Sequence, residues 1–191
     1  MKTICANGHT ISTADKLAFE HYLLETPKTW ATKALSGLIN NAIKTIYNDY
    51  IEEYKANNTS IPANIADIIT GILALETFKA YNKPSPENEA PVGTLSCSIE
   101  VWSGGFEIED YEYSALTSFY ADPEQAMYDL MDNKISKRRN VFIKENTPIL
   151  LDDSTVTTVP TIQDDFISQF VLRVDYKNAV ERKAEQEALG V

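Results

Sequence analysis

Residues 98–110 read SIEVWSGGFEIED, two short runs of alternating character set around Ser103-Gly104-Gly105. This stretch decides the fold because the chain also begins that way. Lys2 to Ala6 and His9 to Thr13 flank Asn7-Gly8, the strongest short signal for a two-residue hairpin turn. Ile4, Gly8 and Ile11 fall opposite Val101, Gly105 and Ile108. The spacing predicts two β-hairpins, the second from Leu95–Trp102 and Phe106–Asp110, each opening one copy of a repeated unit.

Working outward, the helix signals repeat in the same order. Thr13 is the expected cap of a short helix carrying Ala14, Leu17, Ala18, His21 and Leu24 on one face, and a counterpart is expected around Tyr113 to Tyr120. Thr26-Pro27 and Asp122-Pro123 each place a capping residue before proline at the first helical position, where the missing N–H costs nothing. Trp30, Ala34, Leu35 and Ile39 then align with Ala126, Leu130, Met131 and Ile135. The first long helix is predicted to about Tyr54, with Gly37 held by packing or marking a bend. The second is predicted to stop near Pro148. Ile61-Pro62 and Val159-Pro160 open the last helix of each copy, and Asp67, Ile69 and Phe78-Lys79 meet Asp165, Ile167 and Tyr176-Lys177. An ordered series of this kind is the signature of an internal repeat. The expected fold is α+β and mostly helical, two tandem copies of a β-hairpin followed by three helices. The expected domains are a first repeat at 1–81, a proline-rich linker at 82–94, a second, acidic repeat at 95–177 and a polar helical tail at 178–191.

The 191 residues are 43% hydrophobic and 24% charged, with a net charge of −11. This is the composition of a globular chain large enough to bury a core. No run approaches the length of a membrane span, and Met1-Lys2 leads straight into a strand-like stretch, so synthesis and folding in a cytoplasm are expected. Cys5 and Cys97 do not pair under the repeat alignment, which favours buried thiols. The charge is uneven. It comes to about −1 for the first copy and about −9 from Leu95 onward. Glu100, Glu107, Glu109, Asp110 and Glu112 line the second hairpin and its exit, a surface that repels nucleic-acid phosphate. Lys134, Lys137, Arg138 and Arg139 form the one basic cluster, either a solvated face paired with nearby acids or a contact for an acidic partner.

Reactive constellations are missing from the sequence. His9 and His21 have no cysteine or second histidine at metal-ligand spacing. Asp152-Asp153 and Asp164-Asp165 lack the alternating ligands and central glycine of a calcium loop, and read as turn chemistry and a helix first turn. Ser103-Gly104-Gly105 lies between strands and is too short for a phosphate cradle. No hydroxyl has a histidine partner for nucleophilic catalysis. The expectation is a protein that is not an enzyme, with no catalytic, cofactor-binding or metal site and no cofactor.

The succession of hairpin, Asp122-Pro123-Glu124-like helix start, long helix, and Ile61-Pro62 or Val159-Pro160 before a last helix resembles small uncharacterised proteins encoded by tailed bacteriophages of marine bacteria. Those chains are about the size of one repeat, so the resemblance covers this chain twice. Ala126 departs from it where the first copy has Trp30. The resemblance implies a phage gene product and carries over no catalytic residue. The expected function is a virion structural or accessory protein, in capsid decoration, neck or tail, made in the host cytoplasm and located in the virion. Its partners would be other virion proteins or copies of itself, with no direct nucleic acid and no membrane. The alternative is an acidic, phosphate-mimicking inhibitor of a host nucleic-acid-handling protein.

Overall fold

A computed structural model of the chain describes residues 1–84, 98–152, 160 and 163–190. Among these residues the protein is mostly helical, with minor strand pairing. The strands are β1 (Lys2–Ile4), β2 (His9–Ser12), β3 (Ser98–Trp102) and β4 (Phe106–Ile108). The helices are α1 (Thr13–Tyr22), α2 (Pro27–Asn57), α3 (Ile65–Leu73), α4 (Asp110–Phe119), α5 (Pro123–Leu151), α6 (Gln163–Val171) and α7 (Ala179–Leu189).

Side-chain capping sets most helix starts. Ser12, one residue before the expected Thr13, caps α1 by accepting from the Asp15 N–H at 3.0 Å. Thr26 accepts from the Thr29 N–H at 3.2 Å and Asp122 from the Gln125 N–H at 2.9 Å, with Pro27 and Pro123 at the first helical positions. The third helix starts later than Pro62, because Asn64 supplies the cap by accepting from the Ala66 N–H. Pro148 does not stop α5. It lies inside the helix, and the Asp152 N–H reaches its carbonyl at 3.0 Å, because proline removes only its own donor and leaves its carbonyl free to accept. Beyond α6 the chain does not run on as one helix: Asn178 caps a separate α7 by accepting from the Val180 and Glu181 N–H groups.

The two expected hairpins do not form. The strands are present, but β1 pairs antiparallel with β4 and β2 pairs antiparallel with β3. The turn chemistry explains this. The Gly8 N–H bonds the Cys5 carbonyl at 3.1 Å, and the residues with positive φ are Cys5 and Gly8, not the two central residues. Cys5, at φ +56°, takes the chain out of the extended region directly after β1, so β1 turns away before it can run alongside β2. Gly105 serves the β1–β4 pair directly. Its φ is +74°, and a Cβ there would stand 2.5 Å from the Ile4 carbonyl oxygen.

The chain divides into two units, each built from segments of both halves of the sequence. The first is Met1–Gly8, Ala31–Glu87 and Ser103–Leu130, and the second is His9–Trp30, Asn88–Trp102 and Met131–Val191. In the first, β1 pairs with β4 and α3 packs on α4. Ala31, Leu35, Ile39, Ala42 and Ile46 of α2 are buried, a stripe at spacings of three and four. Gly71 sits against Tyr54, where a Cβ would meet the ring at 2.5 Å. Gly37 is different. It is exposed, with nothing within 4 Å of a Cβ, so packing does not require it.

In the second unit β2 pairs with β3, α1 packs on α6 and α7 touches α1. Ala14, Ala18, Phe142, Phe166, Ile167 and Phe170 form its core. Beside that core lies a buried ion pair. The Arg139 Nε donates to Asp15 at 2.9 Å, and the Ser12 hydroxyl donates to the same carboxylate at 2.8 Å.

Candidate functional site

Leu23 leaves α1 in extended backbone, φ −114° and ψ 133°, while its N–H still reaches the Phe19 carbonyl at 3.2 Å. Among the described residues, the Tyr22 carbonyl and the Leu24 N–H have no hydrogen-bond partner. Leu24 is itself exposed.

Two cavities of the second unit flank this strip. The larger, about 590 Å³, is lined by His21, Tyr22, Glu145, Phe170, Tyr176 and Arg182 among others. The smaller, about 170 Å³, touches Leu23, Leu24, Thr26, Asn178 and Val180. Aromatic packing builds the wall of the larger one. The His21 ring stacks on Tyr176 with centroids 5.7 Å apart and meets Phe142 edge-on at 4.8 Å. Burial pushes the His21 imidazole down to about 4; the Arg182 guanidinium lowers it further and Glu145 opposes this. At neutral pH the ring is therefore uncharged. Arg182, from α7, donates to the His21 and Lys177 carbonyls.

The polar groups of the cleft divide into spent and available ones. Arg173 is held by Asp175 at 3.0 Å and Lys177 by Glu185 at 2.6 Å. Glu145 accepts the Tyr22 hydroxyl at 2.7 Å, and burial first, then this bond, raises the Tyr22 phenol well above its ordinary range. Among the described residues neither Glu145 nor Arg182 forms an ion pair, and the buried Tyr176 hydroxyl has no hydrogen-bond partner. The cleft offers an open backbone edge, an aromatic wall and one carboxylate, the Arg182 guanidinium being engaged on the His21 and Lys177 carbonyls. That set can bind a ligand, but it supplies no activated nucleophile.

The first unit carries a similar helix exit with a different outcome. Tyr120 leaves α4 at φ −104° and ψ 138°, its N–H on the Leu116 carbonyl at 2.8 Å. Here the chain's own residues 81–83 lie alongside. The Tyr81 N–H donates to the Ser118 carbonyl at 2.8 Å, the Lys83 N–H to the Phe119 carbonyl at 2.9 Å, and the Ala121 N–H to the Lys83 carbonyl at 3.0 Å. The Tyr81 ring packs on Phe119 with centroids 5.0 Å apart, and its hydroxyl donates to Asp49 at 2.6 Å. The Lys83 ammonium lies 4.4 Å from the Phe119 centroid.

The residues singled out in the sequence scatter across these structures. His9 stacks on Trp102 at 5.0 Å and faces Asp132 at 3.2 Å; His21 lines the cleft. The basic cluster disperses: Arg139 is buried on Asp15, Arg138 lies over the Tyr22 ring at 5.2 Å, Lys134 lies over Trp30 at 5.5 Å, and Lys137 is exposed. Glu107 and Glu109 are exposed, Asp110 faces the Met1 amino group at 3.4 Å, and Glu112 accepts from the Glu109 N–H at 2.9 Å. Asp152 and Asp165 are exposed. The Glu100 and Asp164 side chains, Asp153 and Cys97 lie outside the described residues. Cys5 is buried, its thiol pushed up to about 12 by burial and then by Glu124, so it is not a nucleophile at neutral pH. Among the described residues no group of three or more His, Cys, Asp or Glu is placed to hold a metal ion, and no helix is long and apolar enough to cross a membrane. Tyr22, Leu24, Glu145 and Tyr81 were not legible as site residues. Carried on at the spacing that pairs Thr26 with Asp122, the repeat alignment would put Asp49 opposite Glu145, a trace that becomes readable only beside the structure. The chain matches no protein-family model, no curated protein and no solved structure.

Proposed function

We propose that this protein is a non-enzymatic building block of a larger assembly, a structural or accessory component of a tailed-phage virion, acting through protein–protein interfaces. In this reading its two stretches are fused copies of one ancestral subunit that exchange strands. The observation that carries it is strand register. With the two copies offset by 97 residues, the pair Lys2 with Ile108 maps onto Ile99 with Ile11, and Thr3 with Glu107 maps onto Glu100 with Thr10. Both mapped pairs occur between β2 and β3. Helix lengths agree, ten residues for α1 and α4 and nine for α3 and α6. Three turn bonds after α3, Ala74 to Gly71, Leu75 to Ile72 and Phe78 to Leu75, recur after α6 as Leu172 to Gln169, Arg173 to Phe170 and Tyr176 to Arg173.

Exchange between two copies is how homodimers swap elements, and fusion lets one chain fill two symmetry-related positions. A protein of this kind contributes surfaces, which suits an assembly role. The inhibitor reading gains less support, because two of the acids it relies on, Asp110 and Glu112, are engaged locally with Met1 and Glu109. The test is mass spectrometry of purified virions of the phage that encodes the chain, with copy number measured against the major capsid protein. A fixed stoichiometric number is expected. Expression during infection without incorporation into particles overturns the virion reading.

A further inference from the structure

The helix exits of the two units differ in one respect that bears on binding. In the first unit the strip after α4 is covered by Tyr81-Asn82-Lys83, and in the second no extended segment among the described residues pairs with the strip after α1. The correspondence runs group by group. The Ser118 carbonyl maps onto that of His21, the Phe119 carbonyl onto that of Tyr22, the Ala121 N–H onto that of Leu24, and the Asp49 carboxylate onto that of Glu145. In the first unit all four are bonded to residues 81–83. In the second, Arg182 takes the His21 carbonyl, while the Tyr22 carbonyl and Leu24 N–H have no partner among the described residues.

The chain's own equivalent segment cannot supply the cover. Residues 179–181, which align with 81–83, are Ala179-Val180-Glu181, the first turn of α7, held helical by a capping box between Asn178 and Glu181. A helical turn turns its N–H groups along its own axis and cannot lie extended against the strip. Empty space remains on both sides, about 590 Å³ beside Tyr22 and Glu145 and about 170 Å³ beside Leu24.

We infer that the Tyr22–Leu24 strip and its cleft bind an extended peptide segment of a partner protein that carries a tyrosine, seated as Tyr81–Lys83 sits in the first unit. A peptide N–H donates to the Tyr22 carbonyl, and the Leu24 N–H donates to a peptide carbonyl. The tyrosine ring packs against Tyr22, and its hydroxyl donates to the Glu145 oxygen that the Tyr22 hydroxyl does not use. Main-chain bonds give affinity and the side-chain pocket gives the preference, as in strand-addition recognition generally. Arg138 already lies over the Tyr22 ring, so the lysine of the self segment is not required.

This inference rests on the correspondence between the two stretches and not on the virion reading, and its test uses the purified full chain, so either can fail alone. The probe is the capped hexapeptide of residues 79–84, Lys-Ala-Tyr-Asn-Lys-Pro, titrated into ¹⁵N-labelled protein and followed by amide chemical shifts. Saturable shifts at Leu23, Leu24 and Glu25 are expected. The same peptide with alanine for tyrosine should lose binding, and Glu145→Ala should weaken it about tenfold, the loss of one hydrogen bond to a charged group. No saturable shift up to millimolar peptide overturns the inference, as does equal binding of the alanine peptide, or shifts confined to Ala121 and its neighbours. The alanine peptide keeps the test decisive if Glu145→Ala does not fold.

Discussion

Asp15 is where single residues matter most for stability. Asp15 is 4% exposed and Arg139 is 3% exposed, so each charge has given up water for the other, and the carboxylate gains the Ser12 hydroxyl as well. Removing one partner leaves the other buried and uncompensated. Asp15→Ala is expected to cost about 3–5 kcal/mol, read as a lowered urea midpoint with an unchanged slope. His21 gives a second prediction. Its folded-state value of about 4 lies below its ordinary 6.5, so the unfolded chain binds the proton first as pH falls. The histidine's contribution to stability is thus complete above about 6.5 and lost as pH drops toward 4. The thermal midpoint of the wild type should fall more steeply over that window than that of His21→Gln, whatever the offset between them. His21 was legible as a residue on the packed face of its helix, but the Asp15–Arg139 pair was not. Arg139 sat in a run of four near-adjacent cations that reads as a solvated face, and its partner lies 124 positions away, a distance over which composition and periodicity carry no signal.

Helices were the legible elements, because their signals are local. Thr26-Pro27, Asp122-Pro123 and the stripes at spacings of three and four each act within a turn or two of chain, and α2 and α5 start where those residues place them. Gly37 shows the limit of the same reasoning. Sequence alone ties a mid-helix glycine to close packing or a bend, yet the site is open. Gly37→Ala should therefore stabilise the protein by about 1 kcal/mol, seen as a raised thermal midpoint. Strand pairing was the illegible part. Asn7-Gly8 is a strong dipeptide for a primed turn, but the backbone instead places its positive φ at Cys5 and Gly8, and the strands then pair with others of matching register. The open strip at Tyr22–Leu24 was hidden for a related reason: only a comparison of two helix exits, one covered and one not, distinguishes it.

At the scale of the whole molecule, the mostly helical character was legible from the caps and apolar stripes, but the strand pairing was not, since either pairing of four strands satisfies the same sequence pattern. The pairing has a direct test. If a protease site is inserted between 86 and 91 and cut in the folded protein, the two fragments should elute together from a sizing column and separate only in denaturant, because β1 of one holds β4 of the other and β3 holds β2. Separate elution without denaturant would be incompatible with these pairings. The same ladders also set a timetable for synthesis. Lys2 finds its partner at Ile108 and Ile11 at Ile99, so β1 and β2 must wait after leaving the ribosome until β3 and β4 have been translated. The N-terminal half has no finished unit to fold into during that time, and its apolar helix faces are exposed to the chaperones and proteases of the cell until the second half arrives.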